Sequence, residues 1–192
     1  MNKNFIGPEE LLEDAYRLAW KVFKSGFFPT YIIGIWRGGA PLAIAVHELL
    51  CFLGVHAKHT PIKISSYDGL TRGDEVTIDG LAPLCEMITK NDSLLVVDDV
   101  HDTGHSIEHL LTNIETMLLS SKPEIRVATA YFKPNRNETG KEPDYFLHKN
   151  NDWLVFPHEL EGLSLDELKI QKPALSKILP EIQEHFNKNT FS

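Results

Sequence analysis

The apolar positions of this chain fall into short unbroken runs and into stripes of helical spacing, and the two alternate. Leu94, Leu95, Val96 and Val97 form one unbroken run, the pattern of a central strand buried on both faces of a parallel sheet. Beyond it, Ile107, Leu110, Leu111, Ile114, Met117 and Leu118 recur at three- and four-residue intervals, the stripe of an amphipathic helix. The same order occurs earlier. Tyr31 to Ile35 reads as a buried strand, and Leu42, Val46, Leu49, Leu50 and Leu53 form one helix face closed by Gly54. An N-terminal helix is predicted from Pro8, with Glu9 and Glu10 in its first turn, Leu11, Ala15, Leu18, Ala19 and Val22 on one face, and Ser25-Gly26 as its stop. Val55 to Thr60 and Ile125 to Phe132 add strands, and Leu81 to Ile88 a short helix. Strands alternating with helices predict an α/β fold, a twisted parallel sheet flanked by helices. Ser164 and Glu167 have the spacing of a capping box, and Pro173 and Pro180 divide the tail that follows into short helical pieces.

The polar residues between strand and helix carry the candidate chemistry. Asp98 and Asp99 are expected at the end of the central strand, followed by Val100-His101-Asp102-Thr103-Gly104-His105-Ser106. Thr103 and Ser106 bring hydroxyls, and Gly104 allows a positive φ or a close ligand approach. Backbone amides that open a helix favour an anion, here a phosphate monoester. Asp98 and Asp99 repel a bare phosphate but suit sugar hydroxyls, or a Mg²⁺ that carries a polyphosphate. Asp102 is a third carboxylate within reach. One or two acids at a strand end are ordinary solvated groups. Three within five positions, interleaved with Thr, Gly and Ser, fit a phosphorylated ribose better. A second strand-loop-helix repeats the theme with Arg37-Gly38-Gly39, where the guanidinium fork and the glycine amides address another anion.

Composition narrows the class. The 192 residues are 42% hydrophobic and 24% charged, as in a soluble globular domain. The net charge of −8 argues against a nucleic-acid surface, which is basic. Two cysteines, Cys51 and Cys85, fit a reduced, cytoplasmic setting. No signal peptide or membrane-length apolar run is read, so no membrane partner is expected. From Ser66 to Asp79 the apolar content is low, which predicts a loop or loose hairpin.

The run VVDDVHDTGHS resembles the phosphoribosyl-diphosphate (PRPP) motif of the type I phosphoribosyltransferases: hydrophobic residues, two acids, two variable residues, then Asp-Thr-Gly-x-Thr/Ser. His105 departs from the usual Gly or Lys, at a position that mostly offers its amide. The resemblance covers roughly residues 30 to 160. It implies a single domain with a core over 30–134, a small hood from the N-terminal helix and 135–160, and a helical tail over 164–192. It implies PRPP contacts from Arg37, Gly38, Gly39, Asp98, Asp99, Asp102, Thr103, Gly104, His105 and Ser106. It further implies a mobile loop opened by Ser66 and Tyr67.

In the purine branch a Lys at the place of Lys133 donates to the 6-oxo group, an aromatic residue at Trp153 stacks on the base, and the residue at Leu154 offers backbone groups. Glu159, with Asp98 and Asp99, would hold Mg²⁺. His158 stands where the xanthine-guanine enzymes carry a Trp. The implied reaction joins hypoxanthine, guanine or possibly xanthine to the phosphoribosyl group of PRPP, with Asp102 managing the purine proton and a purine nucleotide and pyrophosphate as products. A homo-oligomer, dimer or tetramer, is implied as well. The alternatives are a PRPP-sensing regulator of the same fold and a phosphoribosyltransferase for another base. The acidic charge and absent DNA-binding module speak against the first; Lys133 and Trp153 speak against a pyrimidine.

Overall fold

The computed structural model describes residues 3–66, 76–118 and 122–189. In chain order the elements are β1 (Lys3–Phe5), α1 (Pro8–Lys24), β2 (Tyr31–Trp36), α2 (Gly39–Phe52), β3 (Lys58–Ser66), β4 (Val76–Asp79), α3 (Leu81–Met87), β5 (Ser93–His101), α4 (His105–Leu118), β6 (Glu124–Phe132), β7 (Tyr145–Lys149), β8 (Trp153–Val155), α5 (Leu165–Gln171) and α6 (Leu179–Asn189). Six strands form one sheet in the order β4-β3-β2-β5-β6-β7, parallel except for the edge strand β4. The fold class is the mixed α/β sheet that the apolar pattern predicts.

Strand alternation sorts the core. Tyr31, Ile33 and Ile35 of β2, with Leu94 and Val96 of β5, point to one face. There they pack with Leu81, Leu84 and Cys85 of α3 and Ile107, Leu110 and Ile114 of α4. α2 lies on the opposite face: a Cβ added at Gly34 would stand 2.9 Å from the Ala43 Cβ. The two cysteines are free thiols, and burial pushes the Cys85 thiol up. α1 buries Asp14, which accepts from His148 Nε2 at 2.8 Å; a carboxylate that deep needs such a partner.

Two differences from the pattern-based expectation have physical causes. β5 does not stop at Val97. It pairs with β6 through Asp98↔Thr129 and on to His101↔Phe132, so the acid pair lies inside the strand and not beyond its end. β3 begins at Lys58 and not at Val55, because Val55 N still bonds to Leu50 O and closes α2. The expected loose hairpin has its arms, with Ser66↔Val76 to Lys63↔Asp79 paired antiparallel, while Tyr67 lies outside the described residues.

The contacts divide the chain into two units. Glu9–Asn151 carries the six-stranded sheet, α1 beyond Pro8 and the expected hood segment as far as Asn151. Met1–Pro8 with Asp152–Ser192 is the other. It is held by parallel pairing of β1 and β8, by Lys3 to Glu167 at 2.8 Å, and by Lys172 Nζ donating to Phe156 O at 2.6 Å. The Ser164–Glu167 capping box forms as its spacing predicts. Among the described residues no helix is long and apolar enough to cross a membrane.

Gly34→Ala should destabilise the protein by about 1–3 kcal/mol, the usual effect of overpacking a close contact. In a domain of this size that lowers Tm by roughly 2–4 °C per kcal/mol. A thermal melt checks it: an unchanged Tm would mean that α2 yields at this contact.

Candidate functional site

The strand order creates a crevice. From β2 the chain crosses to β3 on one side of the sheet, and from β5 to β6 on the other, so the carboxyl ends of β2 and β5 flank the topological switch point, where open α/β sheets place ligands. Both polar loops open there. The first contains a cis peptide between Trp36 and Arg37, then Gly38 as the N-cap of α2. The two glycines leave no room for a side chain. A Cβ on Gly38 would overlap the Asp99 carboxylate; one on Gly39 would overlap Val97 O and stand 2.8 Å from the Asp98 Cα. The helix start therefore rests directly on the acid pair.

That pair is electrostatically crowded. Asp99 is 6% exposed and Asp98 partly buried. Burial, and then the neighbouring Asp99 carboxylate, push the Asp98 carboxyl well above the usual range. The backbone N–H groups of Asp99 and Gly39 favour its ionised form but do not cancel this; the Asp99 bond to Asp98 Oδ1 is 3.0 Å. A cation or a pair of sugar hydroxyls placed between the acids would relieve the repulsion.

The second loop turns on Gly104, whose φ of 89° suits glycine. A Cβ there would stand 2.7 Å from Thr139 Oγ1 and 2.8 Å from His101 Nε2. α4 begins at the next residue, so the amides of this loop face outward at a helix N-terminus, with the exposed Ser106 beside them. Burial pushes the His101 imidazole below its ordinary value. The Asn137 side chain and the Lys141 backbone favour its charged form without cancelling this.

Residues 134–144 fold over this loop from the β6 side. Glu138 N donates to Thr103 O at 3.0 Å, His105 Nε2 meets Glu138 Oε2 at 2.7 Å, and Lys141 reaches Glu108 at 3.3 Å. At the start of the segment, Lys133 is 7% exposed, its N–H bonded to His101 O at 2.9 Å and its Nζ 3.1 Å from Asp102 Oδ2. Arg136 Nε stands 2.6 Å from Asp102 Oδ1.

The match that decides the family covers residues 7–164, which fit the model of the phosphoribosyl transferase domain. The chain belongs to the phosphoribosyltransferase family. It is 31% identical to a xanthine-guanine phosphoribosyltransferase of Desulfotalea psychrophila over 160 residues, 82% of this chain and 86% of that one. A hypoxanthine-guanine phosphoribosyltransferase of Lactococcus lactis is 24% identical over 190 residues, 95% and 93% of the two chains. Among solved structures, a purine phosphoribosyltransferase from Pyrococcus horikoshii superposes with a TM-score of 0.66 at 26% identity, covering 85% of this chain and 99% of that one.

In this phosphoribosyltransferase the unit Glu9–Asn151 brings together Gly38, Gly39, Asp98 and Asp99 in one cluster, and Asp102 with Lys133 in another. Arg37 is exposed beside the first. Trp153, Leu154 and Glu159 belong to the other unit. Trp153 is 52% exposed, Leu154 is buried in register with Asn4, and Glu159 accepts from Phe156 N at 2.9 Å. His158 stacks its ring on Phe156. Ser66 ends β3. Sequence reading missed Arg136, Glu138 and Thr139. The polar run after Lys133 signals a surface segment, but nothing in its spacing says that it docks on a loop some thirty residues earlier.

Asp98→Asn should raise the stability of the ligand-free protein. A carboxyl whose value is raised on folding makes the folded state bind more protons, so its cost is greatest at neutral and higher pH and disappears in acid. At pH 7–8 the substitution should raise Tm by roughly 2–4 °C, the effect of about 1 kcal/mol at this size. The gain should shrink toward pH 4. Melts across pH check both; a lowered Tm at pH 8 would mean that the acid pair is not strained.

Proposed function

We propose that this protein salvages 6-oxopurines by transferring the 5-phosphoribosyl group of PRPP to hypoxanthine, guanine or xanthine, giving the nucleoside 5′-monophosphate and pyrophosphate. The observation that carries this reading is Lys133 beside Asp102 at the rim of the phosphate loop. Lys133 can only donate hydrogen bonds, and a carboxylate can only accept them. Together they complement an edge that offers a carbonyl oxygen and a ring N–H, which is what a 6-oxopurine presents. The relatives named above act on such bases by their names, and 82% of this chain is covered by the first of them.

On this reading the 5′-phosphate takes the amides and hydroxyls of 103–106, including the His105 amide, and the ribose diol faces Asp98 and Asp99. The pyrophosphate takes the amides of Gly38 and Gly39 and the Arg37 guanidinium. Trp153 offers a ring face for stacking and Leu154 its backbone. Among the described residues no three His, Cys, Asp or Glu side chains come together as a cation cage. Mg²⁺ binds through one or two carboxylates plus substrate phosphates, and Asp98 and Asp99 are its assigned ligands. When bound, it neutralises charge on the pyrophosphate oxygens.

A purine ring nitrogen forms its bond to C1′ as the C1′–O bond to pyrophosphate breaks, the electron pair leaving with pyrophosphate. Positive charge developing at C1′ is stabilised by Asp98 and Asp99, and Asp102 accepts the proton of the imidazole ring. Most of this is positioning and electrostatic work. A dimer or tetramer belongs to the same reading.

Pyrophosphate release from PRPP, measured with hypoxanthine, guanine, xanthine and adenine in turn, tests the proposal. Adenine sets an amino donor against Lys133, and sites built around one hydrogen bond reject a mismatched analogue by about 10⁴-fold or more in kcat/KM. Values for adenine and hypoxanthine within about tenfold would remove Lys133 as the reader of the 6-position. Asp102→Asn should slow transfer by about 10²-fold or more, the scale of a positioned acid-base group, with PRPP affinity retained. An unchanged kcat would take Asp102 out of the chemistry.

A further inference from the structure

Asp102 carries two cations, one on each oxygen. Lys133 Nζ makes an aligned hydrogen bond to Oδ2 at 3.1 Å. Arg136 Nε is 2.6 Å from Oδ1 but off the hydrogen-bond line, so Oδ1 is buried against a charge without an aligned donor. The two cations differ in exposure, 8% for the Lys133 side chain and 46% for that of Arg136. They also share a backbone. Arg136 N and Asn137 N both donate to Lys133 O, at 3.1 and 3.2 Å, and Asn135 N donates to Asn151 Oδ1 at 3.0 Å. The turn that presents Arg136 is thus built on the carbonyl of Lys133 itself.

This arrangement divides the work. A lone ammonium beside a lone carboxylate collapses onto it and is poorly available to anything else. With Arg136 holding the carboxylate through Oδ1, Lys133 spends one N–H on Oδ2 and keeps two of its three donors. Oδ2 in turn keeps a second lone pair for an incoming N–H. We infer that Arg136 is a positioning residue for the base end of the site: acting through Asp102, it keeps Lys133 and Asp102 presented as a donor–acceptor pair to a planar base with a carbonyl and a ring N–H. The inference rests on the function proposed above and deepens it. The neighbouring charges do not substitute for Arg136, since His105 faces Glu138 and Lys141 faces Glu108.

The test uses equilibrium binding of two probes, PRPP and the free base hypoxanthine, to the full chain. Arg136→Gln should weaken hypoxanthine about tenfold, the scale of one charge-assisted contact, and change PRPP by less than about twofold. Arg136→Lys should recover part of the loss. In an Asp102→Asn background, Arg136→Gln should add less than about twofold, because coupled residues are non-additive. Equal weakening of both probes would overturn the inference: the 134–144 segment also contacts Thr103, so a simple collapse of the turn would damage the phosphate loop too. A full tenfold loss persisting in the Asp102→Asn background would overturn it as well. Failure of the unsubstituted protein to bind either probe would instead sink the proposed function, and the inference with it.

Discussion

The architecture of the site depends on one steric fact: nothing larger than hydrogen fits at Gly38 and Gly39. Their missing side chains let the N-terminus of α2 settle onto Asp98, Asp99 and the Val97 carbonyl. That contact fixes the crossover from β2 against the end of β5, the two strands that border the switch point of the sheet. It also traps two carboxylates side by side in a wall where water screens them poorly. The result is an arrangement that is unfavourable when empty and favourable when a cation or a diol lies between the acids. Groups held against their own electrostatics in this way are a recurrent property of sites that bind or react.

The surroundings of Asp102 are built by the opposite device. There a single carboxylate is surrounded by more positive charge than it needs, with Lys133 on one oxygen and Arg136 on the other. At the acid pair a positive partner is called for; around Asp102 it is already supplied by the chain. A ligand that brings a metal-bound pyrophosphate at one end and a neutral base with a carbonyl and an N–H at the other matches both. The 134–144 segment joins the Asp102 cluster to the loop that opens α4, since the stretch that supplies Arg136 also bonds to Thr103 and packs Thr139 against Gly104.

Much of this was legible in the residues. The run Leu94 to Val97 read as a buried strand, and the order strand, polar loop, helix placed Asp102, Thr103 and Gly104 beyond a strand's carboxyl end. What the chain order conceals is distance. The extension of β5 through Asp98 and Asp99 depends on pairing with β6, which begins some thirty residues later. Arg136 and Glu138 read as solvated charges because their partners, Asp102 and His105, lie across a strand connection of more than thirty residues. Periodicity finds faces, and motifs find local turns; neither reports which surface loop folds back over which site.

The claim that both loops hold one ligand is tested most directly by following backbone amide signals while PRPP and Mg²⁺ are titrated in. The amides of Gly38 and Gly39 in the first loop, and of Thr103, Gly104, His105 and Ser106 in the second, should shift together along one binding curve. Shifts confined to one loop, or two loops that titrate at different concentrations, would contradict a single site spanning the carboxyl ends of β2 and β5.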